Sequence, residues 1–313
     1  MRALITGAAG QDGTLLRRLL DSEGVEVLGL DAREPGTSTD PCHLSMIDIT
    51  DREALTAVIT SFRPDEIYHL AACHHSSERA AGRLLDRQMV ATNFASTEVI
   101  VTTVAEHLPS CRVLYAGSSQ MYSPGLTRPV TEATPTAPPT FYGLTKSWSR
   151  QLLSFYREHH GVYCSTAILF NHESTLRGPE FLTRKITMAA ATARRLGRTD
   201  LHLRDVTARV DWSSARDVVR GMRCALSATT PQDFVIASGE AHSVSDVLDV
   251  AFGAVGLHWQ AFTTFDPPPA NPLPPLIGDP SRLEQETGWR REYGFRAMIE
   301  EMVMADLSRS IPA

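Results

Sequence analysis

Tyr142 and Lys146 stand four residues apart in FYGLTK, and Ser118 and Ser119 precede Tyr142 by 24 and 23 residues. On a helix, positions i and i+4 share a face, so the lysine ammonium and the tyrosine phenol reach one pocket. A phenol can act as a base. A cation beside it favours phenolate and is expected to lower the Tyr142 pKa toward working pH. A hydroxyl at Ser118 would orient the substrate oxygen. This set removes the proton from an alcohol and needs a partner to take the hydride. The first thirteen residues, MRALITGAAGQDG, supply one. Gly7, Gly10 and Gly13 are spaced G-x-x-G-x-x-G between an apolar run and the periodic Leu15, Leu16, Leu19 and Leu20. A strand, a glycine turn and a helix aim a helix N-terminus at a pyrophosphate, and glycine lets the backbone approach it.

The elements that must position these groups alternate. Met1–Thr6, Val25–Asp31, Glu66–Ala72, Arg112–Gly117 and Tyr163–Phe170 read as buried strands. Glu53–Phe62, Ala91–His107 and Tyr142–His159 read as helices. Near-continuous apolar strands alternating with helices predict an α/β fold, a doubly wound parallel sheet covered on both faces. After Phe170 the pattern predicts a helix over Thr183–Leu196, helical periodicity over Asp211–Leu226 and a strand at Asp233–Ala237. A capped helix is expected at Ser243–Val255, and C-terminal helices at Ser281–Thr287 and Arg296–Leu307. Phe265–Pro280 is proline-rich, with seven prolines in DPPPANPLPPLIGDP, and reads as an extended loop anchored by Leu276 and Ile277. The expected organisation is a dinucleotide-binding Rossmann domain over 1–170, to which 209–237 also contribute. Residues 171–208 and 238–313 form a smaller substrate-binding lobe.

Over 313 residues the composition is that of an ordinary globular chain, 42 % hydrophobic and 21 % charged, with a net charge of −6. Without like-charge runs, neither nucleic acid nor a membrane surface is an expected partner, and no leader or spanning segment is read. Five widely spaced cysteines without C-x-x-C fit reduced thiols in the cytoplasm. No metal site is expected, because Cys73, His74 and His75 lack a second ligand pair.

With these motifs in hand, the chain resembles the extended short-chain dehydrogenase/reductases that act on nucleotide-linked sugars, and most closely the GDP-mannose 4,6-dehydratase family. ALITGAAGQDG, RPDEIYHLAACHH, GSSQMY, FYGLTK, LFNHESTLRGPEFLTRKIT, ARVDWSSARDVV, VIASGEAHSV and LIGDPSRLEQETGW carry the likeness along nearly the whole chain. The resemblance implies that a sugar carbon is transiently oxidised with Tyr142 as base. Water is then eliminated next to the new ketone, and hydride can return to the product. It further implies Ser118 on the sugar oxygen and Lys146 on the ribose. Gly7, Gly10, Gln11, Asp12, Gly13, Asp48, Ile49 and Ala71 would contact the cofactor. Ser119, Asn171, His172, Glu173, Arg177 and His74 would face the substrate. A homodimer or homotetramer paired through Ala91–His107 and Tyr142–His159 is implied by the same analogy.

The sequence departs from that family at four places. Gln120 stands where the family has the glutamate that serves the elimination, and an amide cannot shuttle a proton. Glu173, His74, His75, Cys73 or a second use of Tyr142 are the substitutes. Val210 replaces a diphosphate-gripping arginine, with Arg209 one residue earlier. Residues 266–276 carry no positive charge where the family has another such arginine. A substrate without a sugar-linked diphosphate, such as a nucleoside, therefore stands beside a nucleotide-sugar. Asp31-Ala32-Arg33 replaces the family's arginine pair. A carboxylate at that strand end bonds the ribose 2′-hydroxyl and repels a 2′-phosphate, which favours NAD over NADP. The alternatives are a 4-epimerase or 4-ketoreductase, which needs no elimination base, and a non-catalytic dinucleotide sensor.

Overall fold

A computed structural model describes residues 1–32, 44–74 and 83–309; Arg33, Cys42 and His75 lie outside them. In chain order the first half reads β1 (Arg2–Thr6), α1 (Gln11–Ser22), β2 (Glu26–Asp31), β3 (Leu44–Met46), α2 (Arg52–Phe62), β4 (Glu66–His69), α3 (Arg83–Met89), α4 (Ser96–His107), β5 (Arg112–Ala116), α5 (Phe141–His159) and β6 (Cys164–Leu169). The second half reads β7 (Asn171–Glu173), α6 (Leu182–Leu196), β8 (Leu201–Leu203), β9 (Arg209–Ser214), α7 (Ala215–Ser227), β10 (Phe234–Ile236), β11 (Ala241–Ser243), α8 (Val244–Gly253), β12 (Thr263–Phe265), α9 (Ser281–Thr287) and α10 (Phe295–Ser308).

Seven strands form one parallel sheet in the order β10-β6-β5-β4-β1-β2-β3. Apolar residues alternate between its faces. Ala3 and Ile5 of β1 pack with α1 and α7, and Leu4 packs with α2, α4 and α5. The strand order reverses between β1 and β4, which opens a crevice at their carboxyl ends. A second core joins α6, α8 and α10 through Ile186, Leu248 and Met302. A three-stranded sheet, β11-β9-β7, bridges the two cores.

Two elements differ from the sequence expectation. Residues 209–214 form strand β9 and the helix begins at Ala215. Ser214 caps that helix, its hydroxyl accepting from the Arg216 amide, and a run of helical period alone does not reveal such a start. The helix expected from Ala91 is preceded by α3 and a π-turn at Val90–Ala95, and α4 proper starts at Ser96. Residues 266–280 contain no helix or strand, and Leu276 packs beside Val130 and Phe170.

Candidate active site

The glycine turn forms as its spacing requires. Gly7 adopts φ +73°, and a Cβ there would lie 2.8 Å from the Ala71 backbone at the end of β4. A Cβ at Gly13 would lie 2.6 Å from Ala8 Cα. The turn can therefore close only on hydrogen side chains. Gly10 caps α1 without any side-chain bond to its first amides, which leaves them for an anion. Next to this turn a cavity of about 430 Å³ is lined by Gly7, Asp31, Asp48, Ile49, Ala71 and Thr92. Asp31 is buried at the end of β2 and accepts from the Ala9 amide at 3.0 Å. Asp48 Oδ1 accepts from the Thr50 amide and hydroxyl at 2.9 and 2.8 Å. A bare helix N-terminus, a glycine cradle and a strand-end carboxylate fit a dinucleotide.

Gln11 and Asp12 turn toward the opposite side. Gln11 Nε2 donates to the His172 carbonyl at 3.2 Å, and Ser174 donates to Gln11 Oε1 at 2.8 Å. His172 meets Asp12 Oδ2 through Nε2 at 2.9 Å and the Phe170 carbonyl through Nδ1 at 2.7 Å. Burial favours neutral forms of both groups, but their mutual attraction prevails. The His172 pKa rises and the Asp12 pKa falls. The glycine helix is thus fastened to β7.

Tyr142, Lys146, Ser118, Ser119 and Gln120 line a second cavity of about 210 Å³, with Asp12, His74, Asn171, His172 and Arg177. Thr140 caps α5, its hydroxyl accepting from the Gly143 amide at 3.0 Å. The same hydroxyl donates to Gln120 Oε1 at 3.3 Å. Gly143 presses α5 onto the backbone of Gln120. A Cβ there would lie 2.9 Å from the Gln120 carbonyl carbon and closer still to its oxygen. Lys146 is 1 % exposed, with Nζ donating to the Ala116 carbonyl at 2.8 Å and standing 5.6 Å from the Tyr142 ring centre.

The expected lowering of the tyrosine pKa does not occur in the chain by itself. Burial raises Tyr142 to about 12, although Ser118 and Arg177 favour its phenolate. Burial lowers Lys146 to about 7. Burial favours the neutral amine of Lys146, so the lysine carries less charge with which to hold a phenolate.

A third cavity of about 450 Å³ continues from the second, sharing His74, Gln120, Tyr142, Asn171, Arg177 and Phe181, and adds Glu173, Thr183, Val210 and Trp212. Glu173 is 3 % exposed, and its Oε2 lies 3.1 Å from Arg177 Nε, an ion pair without hydrogen-bond alignment. Burial raises its pKa and Arg177 opposes the rise. Arg177 also covers the Phe181 ring at 3.5 Å.

Several site residues gave no signal of their own in the sequence. Asn93, in the π-turn, holds both backbone polar groups of Cys73 at 2.7 and 3.0 Å and donates to Thr145 at 3.1 Å. It fixes the chain that carries His74 against α5. Lys185 and Arg204, with Val210, line a further cavity of about 490 Å³ that also shares Glu180 and Leu182 with the third. Glu180 and Asp205 line the same cavity, so the cations near Val210 stand beside carboxylates. The cations come from α6 and the turn after β8, and none of residues 266–276 lines either cavity. Arg209 is occupied by the Ala241 carbonyl at 2.7 Å.

A profile of the GDP-mannose 4,6 dehydratase family matches residues 4–302. The chain belongs to that family. GDP-mannose 4,6 dehydratase 2 of Arabidopsis thaliana is 34 % identical over 97 % of this chain and 86 % of its own. The GDP-mannose 4,6-dehydratase of Sinorhizobium fredii is 33 % identical over 98 % and 96 %. Among solved structures, UDP-glucose 4-epimerase of Thermotoga maritima superposes with a TM-score of 0.86 at 18 % identity, covering 97 % of this chain and 98 % of the other. The NAD complex of dTDP-glucose 4,6-dehydratase from Bacillus anthracis superposes with a TM-score of 0.82 at 18 % identity, covering 97 % and 96 %. These likenesses are to the extended short-chain dehydrogenase/reductase fold, and the family membership makes the chain a hydro-lyase of that group. No helix among the described residues is long and apolar enough to cross a membrane.

Proposed function

We propose that the protein is an NAD-dependent dehydratase of a nucleotide-linked sugar, with GDP-mannose, the sugar named for its relatives, as the first candidate. The observation that carries this reading is the continuity of the cavities. The oxidation residues Ser118, Tyr142 and Lys146 open into the space of Asn171, Glu173 and Arg177, and that space adjoins Lys185 and Arg204. One end suits a hexose hydroxyl beside a hydride acceptor, and the other offers Lys185 and Arg204, beside Glu180 and Asp205, to a phosphate.

A nicotinamide held beside the glycine turn would supply the hydride acceptor. The chain's residues do the rest. Ser118 bonds the sugar oxygen, and Tyr142 takes its proton. Lys146 holds the ribose. Asp31 binds the 2′-hydroxyl, which supports NAD rather than NADP. His172, with both ring nitrogens engaged, positions the turn through Asp12. Asn171 and Arg177 face the sugar.

Incubation with NAD and GDP-mannose or other nucleotide-sugars, followed by mass spectrometry, tests the reading. Loss of one water is expected, and inversion without mass change would establish the epimerase instead. Pairing of two copies through α4 and α5 is supported by the half-exposed Phe155 on α5 and is tested by light scattering. The free thiols of Cys73, Cys111, Cys164 and Cys224 support residence in a reducing cytoplasm.

A further inference from the structure

Elimination beside a ketone requires a group that takes a proton from carbon and delivers one to the departing hydroxyl, so its pKa must allow both at working pH. Gln120 lines the sugar cavity, but an amide cannot carry that proton. Glu173 shares this cavity with Gln120 and Tyr142. Alternate residues of a strand share a face, so Asn171 and Glu173 project from β7 in the same direction. Asn171 lines both the oxidation cavity and the sugar cavity, and Glu173 lines the sugar cavity. Asn171 therefore marks the junction with the oxidation residues, and Glu173 lies on the sugar side of it. The carboxyl group is placed there without being locked as an anion. It is 3 % exposed, and among the described residues its Oε2 has no hydrogen-bond partner. Arg177 Nε stands 3.1 Å from that oxygen, as a charge without alignment, and is itself without an acceptor among the described residues. Aligned donors hold a carboxylate in its charged form. Here burial raises the pKa, and Arg177 and Thr183 only oppose the rise, so the net movement is toward neutral pH.

We propose that the Glu173 carboxyl group, on the sugar side of Asn171, is the acid/base of the elimination; the proposal rests on the dehydratase reading. The carboxylate removes the proton from the carbon beside the ketone, and the C–H electron pair forms the enolate. The enolate expels the hydroxyl from the next carbon as that C–O bond breaks. The Glu173 carboxylic acid gives its proton to the departing oxygen. One water leaves, the carboxylate is restored, and this step consumes no oxidant or reductant. Arg177 favours the carboxylate with which the cycle begins and ends. The titratable and charged groups around Glu173 are Arg177, His172 and Asp12 on its own side. Across the cavity they are Asp86 on α3, Glu180, Tyr142 on α5 and His74 after β4.

The test uses the full-length protein loaded with NAD and the substrate that the wild type dehydrates. In Glu173→Gln, single-turnover reduction of the nicotinamide should persist within a few-fold while water loss falls by about 10²–10⁴-fold, the usual worth of a positioned acid/base. A carboxylate supplied from the facing position, in Glu173→Gln/Gln120→Glu, should restore part of it. Wild-type water loss should rise with pH through the raised Glu173 pKa, because the base form starts the step, and Glu173→Gln should lack that limb. In infrared spectra of the protein without sugar, the carboxylic-acid band missing from Glu173→Gln should titrate above the ordinary glutamate range, a readout that needs no turnover. Water loss at the wild-type rate in Glu173→Gln would overturn the proposal. An equal fall of oxidation and water loss in a variant that melts like the wild type would also overturn it. If Glu173→Gln melts early, Glu173→Asp takes its place: the withdrawn carboxylate should slow water loss more than oxidation, and an equal fall would overturn the proposal. Wild-type protein that dehydrates no sugar would overturn the underlying reading and the role of Glu173 with it.

Discussion

Gly143→Ala is the sharpest perturbation of the site's geometry. The added Cβ would sit 2.9 Å from the Gln120 carbonyl carbon and 3.1 Å from Pro138 Cβ. Carbon contacts settle at about 3.5–4.0 Å, so the first turn of α5 must retreat by roughly 0.6–1.1 Å on the Gln120 carbonyl-carbon contact, and by more on the closer oxygen. The neighbour is backbone in the 3-10 turn Ser119–Met121 that follows β5 and cannot swing aside as a side chain would. Overpacking of this kind costs about 1–3 kcal/mol, a drop of roughly 2–10 °C in Tm for a chain of this size. Tyr142 precedes Gly143 and moves with it, away from Ser118. A misplacement near 1 Å costs about 10²-fold in rate. The assay is single-turnover appearance of reduced nicotinamide, alongside a melting curve and NAD titration. The expected result is a rate loss of about 10²-fold with NAD affinity within a few-fold of wild type, because the glycine turn at β1 is untouched. Undiminished rate and Tm would refute the idea that α5 is clamped onto Gln120.

Other outcomes follow from named contacts. Tyr142→Phe removes the proton acceptor and should lower oxidation by about 10²–10⁴-fold without lowering Tm, as stopped-flow absorbance and calorimetry would reveal. Asp31→Asn removes the charge that rejects a 2′-phosphate. Its preference for NAD over NADP, read by isothermal titration, should fall by about tenfold or more, equivalent to ~1.4 kcal/mol. His172→Ala should destabilise the fold by about 1–3 kcal/mol, because the buried Asp12 loses its charged partner and keeps only the Gln11 amide. The His172 pKa is raised, so its share of stability is full below 6.5 and is lost as pH rises through the raised value. Asp12's pKa is lowered, so its share is full above 3.8 and is lost as pH falls through the lowered value. Urea melts should therefore show the largest difference from wild type between about pH 4 and 6.5.

The fold was largely legible because its signals are local. Glycines at 7, 10 and 13 need a turn that only glycine closes, and the apolar strands need two covered faces. The helix at Phe141–His159 was equally clear, but not what holds it. Gly143 reads as a weak helix former until Gln120 is seen beneath it. Asn93 reads as one polar residue in a helical run, since a π-turn has no compositional mark. Lys185 and Arg204 come from different elements and meet only through the packing of the smaller core, so a search for arginines at fixed motif positions passes them by. The lysine–tyrosine chemistry was misjudged because sequence spacing gives proximity but not burial. Burial here exceeds the attraction, lowering Lys146 to about 7 and raising Tyr142 to about 12.

The central claim is that the oxidation residues and the adjoining cavity of Lys185 and Arg204 serve one dehydration. It is tested most directly by incubating the NAD-loaded protein with GDP-mannose labelled with deuterium at the oxidised carbon. The account predicts a product lighter by one water that forms in wild-type protein and not in Tyr142→Phe. A folded, NAD-loaded wild type that leaves the mass of GDP-mannose and every other nucleotide-linked sugar unchanged would contradict it.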